Sequence, residues 1–278
     1  MANIGKFNTL RIVELSDQGL YLDGGDQDSI LLPNRYVTSD MKLGDEIKVF
    51  ISNDSEDRLV ATTETPFAQV GEFAYLEVVG VNKHIGAFLD WGLSKDLLLP
   101  FREQGEYEYR VGDGAVVAIY VDKYTDRIVA TTKLRPHFST TKVNYKPNTE
   151  VDVIIFSETR LGYNAIVNKT HRGLISRQDT SEELEYGDQF TCYIKKVQYN
   201  GNIDLSMELT GHDRANTYAE EIMEKIEKAG GSMPFHDKSP PESIRQTFDM
   251  SKKAFKQAIG VLYKQRRIVI TKTGIEKV

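Results

Sequence analysis

The sequence repeats itself three times, which points to a row of small, similar domains rather than one large core. The phrase Gly19-Leu20-Tyr21-Leu22-Asp23 returns as Gly86-Ala87-Phe88-Leu89-Asp90, followed by Leu31-Leu32-Pro33 in the first case and Leu98-Leu99-Pro100 in the second. Leu43-Gly44-Asp45 then matches Val111-Gly112-Asp113, and both units close on arginine, two aliphatic residues, Ala-Thr-Thr, at 58–63 and 127–132. A more diverged third copy holds Gly162-Tyr163, Gly173-Leu174-Ile175-Ser176, Tyr186-Gly187-Asp188 and Ile203-Asp204-Leu205-Ser206-Met207. The glycines that start the cycles stand 67 and then 76 residues apart.

Each unit reads as short strands. Ile47-Lys48-Val49-Phe50-Ile51 and Val151-Asp152-Val153-Ile154-Ile155 mix alternation with β-branched runs, and the Gly-Asp pairs mark a turn before the fourth strand. Five strands in about seventy residues suggest a small closed barrel of the OB type. A β-sandwich cut into three fits less well, because the period coincides with one barrel.

After Gly211 the period changes to that of a helix. Tyr218, Ala219, Ile222, Met223, Ile226 and Ala229 share a face, with Glu220, Glu221, Glu224 and Glu227 outward, and Gly230-Gly231 ends the run. Ser239-Pro240-Pro241-Glu242 combines a capping box with proline at the first helical position. Ser251 caps a further helix with the stripe Phe255, Ile259, Leu262 and Tyr263. Arg267 to Thr271, a turn at Lys272-Thr273-Gly274 and an edge strand at Ile275 complete a winged helix-turn-helix. The expected architecture is therefore multidomain: mainly β with an α+β end, three OB-fold barrels at 1–66, 67–143 and 144–211, and a winged-helix domain at 212–278.

Charge separates these segments. They hold 6 Lys/Arg against 12 Asp/Glu, 9 against 10, 7 against 10, and 13 against 9. Residues 234–278 alone hold 10 against 4. Affinity for phosphate backbones comes from local cationic clusters, so the overall net charge of −6 does not exclude a nucleic-acid partner; it localises one at the C-terminal end.

The order glycine-aromatic-aliphatic-aspartate, then Gly-Leu-Ile-Ser, Gly-Asp and a closing Leu-Ser-Met resembles the S1 RNA-binding domain, most closely at Gly173-Leu174-Ile175-Ser176 and Leu205-Ser206-Met207. With the C-terminal domain added, the whole chain resembles the conserved virulence factor B family of Gram-positive bacteria. The resemblance implies RNA binding and post-transcriptional control of gene expression, virulence functions included.

S1 barrels stack bases on aromatics of strands two and three. The resemblance places the strand-two aromatic at Tyr21 and Phe88; Asn164 replaces it in the third copy, where Tyr163 is adjacent. The acid and arginine of the last hairpin match Asp54 and Arg58, then Asp122 and Arg127. On these grounds Phe88, Trp91, Asp122 and Arg127 form a secondary candidate surface. Charge favours the third copy instead, where Tyr163, Lys169, His171, Arg172, Arg177, Lys195, Lys196 and Tyr199 combine cations and rings. In the last domain Lys252, Lys253, Lys256, Lys264, Arg266, Arg267 and Lys272 lie on or around the recognition-helix position and the wing. The ordinary alternatives are core packing for the aromatics and a solvated face for the cations.

An enzyme is not expected. The five histidines make no metal spacing, and no Gly-rich phosphate loop or nucleophile elbow appears. Asp23, Asp26 and Asp28 read as a solvated acidic loop rather than a Mg²⁺ site, and Cys192 as a packed thiol. Neither a cofactor nor a metal is called for. With a single cysteine, no signal peptide and no membrane-length apolar run, a reducing cytoplasm is the expected home. Three partners remain open: single-stranded RNA, duplex DNA read by the Lys253–Lys264 helix, or proteins of the transcription or translation machinery.

Overall fold

The computed structural model describes residues 2–25, 28–180 and 183–278. Asp26 lies outside the described residues. The first barrel is built from β1 (Phe7–Ser16), β2 (Gly19–Asp23), β3 (Ser29–Pro33), β4 (Glu46–Asn53) and β5 (Leu59–Thr62). The second uses β6 (Phe73–Asn82), β7 (Gly86–Leu89), β8 (Leu97–Pro100), β9 (Gly114–Val121) and β10 (Ile128–Thr131). The third uses β11 (Glu150–Thr159), β12 (Gly162–Val167), β13 (His171–Ser176), β14 (Gln189–Val197) and β15 (Ile203–Ser206). In the first barrel the order around the wall is β1-β2-β3-β5-β4, and the other two share it.

One construction recurs in all three. The long first strand pairs with the fourth through its first half and with the second through its latter half, and a bulge marks the handover, at Ile12/Glu14, Val78/Gly80 and Ile155/Ser157. The Gly-Asp pair of the repeat fastens that bulge. Gly44, Gly112 and Gly187 each donate N–H to the bulged strand at 2.8 Å, and Asp45, Asp113 and Asp188 return a carbonyl to it. The same aspartates accept backbone N–H of Lys42, Arg110 and Glu185 at 2.7–2.9 Å, closing the turn. Gly19, Gly86 and Gly162 start the second strand at φ of +150°, +143° and +143°, where an added Cβ would lie within 2.2 Å of a backbone carbonyl on the neighbouring strand. The recurrent phrases are thus the hinges of a barrel.

Successive barrels share side chains. Phe50 of the first barrel packs edge-on against Trp91 of the second, 5.7 Å between centroids, inside the second barrel's cluster. Between the second and third, Phe73, Val116 and Ala118 meet Ile154 and Ile166, with Phe138 and Phe156 alongside. All six residues of β12 are buried because neighbouring elements cover its outer face as well as its inner one.

The C-terminal domain holds α1 (Gly211–Lys228), β16 (Ser232–Met233), α2 (Pro241–Phe248), α3 (Lys252–Lys264), β17 (Ile268–Ile270) and β18 (Ile275–Lys277). Ala219, Ile222, Met223 and Ile226 of α1 pack against Phe255, Ala258, Ile259 and Leu262 of α3. Ser251 caps α3 by accepting the Ala254 N–H at 3.2 Å. Three details differ from the sequence reading. Ser239 does not cap α2; it is buried and its Oγ accepts the His236 N–H at 2.9 Å, while Pro240 stands at the cap and Pro241 opens the helix. Ile275 lies on the central strand of a sheet ordered β16-β18-β17, because Ser232–Met233 adds a third strand on its far side. Ala229 ends the α1 stripe exposed, as the C-cap, and Tyr263 of α3 is exposed too. Among the described residues, no helix is long and apolar enough to cross a membrane.

Candidate nucleic-acid interface

Burial and ion pairing sort the candidate residues. In the third barrel Tyr163 is 4% exposed and belongs to the core, with the Arg177 guanidinium 5.5 Å from its ring centre. It has no open face for a base, which corrects its assignment as a stacking ring. Arg177 is paired with Glu158, and Lys195 binds both oxygens of Asp179 at 2.7 Å. Arg172 donates to Asn164 Oδ1 at 3.0 Å, and Asn164 in turn donates to Ser157. Lys169 ties barrels together: its carbonyl accepts the Phe73 N–H at 2.8 Å, and its ammonium donates to the Phe67 carbonyl at 2.6 Å. His171 bridges Thr170 and the Thr141 carbonyl. Two candidates stay fully open, Lys196, exposed and without a partner among the described residues, and Tyr199, whose side chain stands free at the tip of the β14–β15 hairpin.

In the second barrel Trp91 is 4% exposed, its indole N–H donates to the Lys95 carbonyl at 2.7 Å, and its ring faces Phe50. It is a packing residue, as is Asp122, 4% exposed, which accepts the N–H groups of Tyr124 and Thr125 and pairs with Arg102. Both are corrections to the secondary surface. Arg127 reaches across to Asp57 of the first barrel, whereas Arg58 pairs with Asp54 inside its own hairpin. Phe88 is half-buried on β7. Lys95 donates to the carbonyls of Asn53 and Asp54, which fastens the second barrel to the first barrel's last hairpin.

The winged helix leaves five of its candidate cations free. Lys253, Lys256 and Lys264 lie on the exposed side of α3, opposite the buried Phe255, Ala258, Ile259 and Leu262, and pair with no described side chain. Arg266, at φ +58°, and Lys272 of the wing are likewise exposed and unpaired. Lys252 reaches the Lys238 carbonyl at 3.4 Å. Arg267 is engaged with Glu220 of α1, and its guanidinium holds the Glu220 carboxyl below the usual carboxylate range. Asn148 joins this domain to the third barrel: it donates to Asp213 at 2.6 Å and to the Thr210 carbonyl at 3.0 Å.

Among the described residues no cluster of His, Cys, Asp or Glu could hold a metal ion. Burial pushes the Cys192 thiol up to about 12, far from a reactive thiolate.

Comparison with known proteins places this geometry. Residues 4–64 match the S1 domain and residues 220–276 the CvfB-like winged helix domain. The protein YitL of Bacillus subtilis, strain 168, is 32% identical over 95% of this chain and 90% of its own length. The chain belongs to the conserved virulence factor B family. The Staphylococcus epidermidis protein of that name, from strain ATCC 12228, is 24% identical and aligns with 99% of this chain and 97% of its own. A Streptococcus pneumoniae crystal structure, described as a multidomain protein with nucleic acid binding domains, covers 99% of this chain and 98% of its own at 24% identity and a TM-score of 0.43. Both matched domains of this family member are nucleic-acid-binding types, and neither is an enzyme family.

Ion pairing makes a prediction about salt. Lys196→Ala should make the negative slope of log affinity against log salt shallower by about 0.7 for a single strand, the loss of one phosphate contact. Lys195→Ala should change it less, because Asp179 already neutralises that ammonium. Binding titrations between low and physiological salt measure both. Equal slopes for Lys196→Ala and the unaltered protein would show that Lys196 is merely solvated.

Proposed function

We propose that this protein binds single-stranded or unpaired RNA between its third barrel and its winged helix, in the cytoplasm, and regulates gene expression after transcription. The observation that carries the reading is the unpaired cationic face of α3, with Lys253, Lys256 and Lys264, continued by Arg266 and Lys272. Counter-ions released from the phosphate backbone reward such a face, whereas cations already bound to carboxylates gain little. Tyr199 and Lys196 on the third barrel supply a stacking ring and a charge for the same strand. The virulence role follows the name of the staphylococcal relatives.

A second reading has its own support. The free face belongs to the second helix of a helix-turn-helix, the element that enters the major groove of duplex DNA in such domains. Competition at fixed salt between a labelled single-stranded RNA and a duplex DNA separates the two. Preferential displacement by unlabelled RNA supports the first reading; displacement by duplex at equal or lower concentration overturns it.

A further inference from the structure

One face of the first barrel is a docking face elsewhere in the same molecule. In the third barrel the outer side of β11 and β12 carries Ile154, Phe156 and Ile166, and the second barrel packs Phe73, Val116 and Ala118 against them. The bulges at Ile12/Glu14 and Ile155/Ser157 align the two barrels, so the matching positions on β1 and β2 are Arg11, Val13 and Asp23. All three are exposed, Val13 by 43%. The first barrel keeps this face and leaves it uncovered.

The residues that differ between the copies set the chemistry of an occupant. Beside Val13 stands Glu14, paired across the strands with the half-buried Tyr21, and Asp17 lies in the hairpin that joins β1 to β2. The carboxylates of Glu14 and Asp17 have no partner among the described residues. Asp23 accepts the Gly25 N–H at 2.9 Å, and Arg11 is already paired with Glu46 at 3.9 Å. The second barrel has Glu77, Val79 and Asp90 at the matching positions, but Gly80 in place of Glu14, and Lys83 and His84 in its hairpin. An apolar residue and a ring rimmed by unpaired carboxylates repel phosphates and fit a cationic protein surface that carries a ring of its own.

Such a surface stands at the other end of the chain. On α3 Lys253, Lys256 and Lys264 share the exposed side with Tyr263, which is 57% exposed and two turns after Lys256. The charges of the two ends are opposite: residues 1–66 hold 6 Lys/Arg against 12 Asp/Glu, and residues 234–278 hold 10 against 4. We infer that the outer β1–β2 face of the first barrel docks the α3 face of a second copy of this chain. Glu14, Asp17 and Asp23 meet Lys253, Lys256 and Lys264, and Val13 and Tyr21 meet Tyr263. The contact uses the helix face assigned above to RNA, so self-association and nucleic acid compete for it, and an associated chain has α3 occupied until a polyanion displaces its partner.

Sedimentation of the full chain over a concentration series tests this at about 0.01 M and about 1 M salt, where the screening length falls from about 30 to about 3 Å. At low salt the mass should rise with concentration from the monomer's toward the dimer's or beyond; at high salt it should stay at the monomer's. Glu14→Lys with Asp17→Lys, and separately Lys253→Glu with Lys256→Glu, should each stay monomeric at low salt. Their melting temperatures should not change, since all four side chains are exposed. An equimolar mixture of the two variants should associate again, because the reversed charges now face one another, and that recovery excludes lost folding as the cause. Three results overturn the contact: a monomer at both salts, association that survives Glu14→Lys with Asp17→Lys, or a mixture that stays monomeric. Added oligouridylate that dissolves the assemblies supports the contact and the RNA reading together. Assemblies that yield to salt and to charge reversal but not to oligouridylate support the contact and count against the RNA reading.

Discussion

Replacing Lys253, Lys256 and Lys264 together by glutamate is expected to weaken nucleic-acid binding by an order of magnitude or more. Three unpaired cations become three anions on the face of α3 where phosphates are to lie. The fold should tolerate this, because the helix is held from its other side by Phe255, Ala258, Ile259 and Leu262, and exposed substitutions away from such contacts move stability little. The helix dipole adds opposing corrections, since glutamate is favoured near the N-terminal Lys253 and disfavoured near the C-terminal Lys264. Binding titrations and melting curves on the same samples give the answer. Undiminished binding to both RNA and duplex DNA by a folded variant would remove α3 from the interface and leave protein docking as the winged helix's role.

The same substitution made at Lys195, Arg177 or Arg267 carries a different meaning, and the difference shows where the sequence stops being legible. All three are cations in promising places, yet Asp179, Glu158 and Glu220 occupy them. Asp179 and Arg177 follow β13, Lys195 lies on β14, and Glu220 lies 47 residues before Arg267, so no spacing rule pairs them. Barrel architecture was legible because its hinges are chemically forced. Only glycine fits at Gly19, Gly86 and Gly162, and the Gly-Asp turn must fasten the bulge, so the phrases recur in order.

Aromatic roles were less legible for a related reason. The sequence offered Trp91 and Tyr163 as rings open to a ligand, and both are packed. Phe50 from the preceding barrel closes over Trp91, and the third barrel's own core takes Tyr163. Strand alternation tells inside from outside within one sheet, but not whether another domain covers the outside, as the second barrel covers Ile166 of β12.

Contacts between barrels lead to the largest stability effect. Phe73 is fully buried where the second barrel meets the third, stacked on Phe138 at 4.7 Å and 28°, within the cluster that includes Ile154 and Ile166. Its own N–H is bonded to the Lys169 carbonyl of the third barrel at 2.8 Å. Phe73→Ala removes a ring from a packed junction that backbone bonds keep from collapsing, so a loss of about 3–5 kcal/mol is expected. Urea unfolding of the full chain measures it. Because the junction belongs to both barrels, the second and third should lose stability together, while the winged helix, with its own core of α1 and α3 residues, should keep its transition. The cluster also dictates that binding be dissected by substitution rather than by cutting between these barrels, since a fragment beginning at residue 144 would leave Ile154, Ile166 and Phe156 uncovered. A loss below about 1 kcal/mol for Phe73→Ala would mean that the barrels do not hold one another in solution.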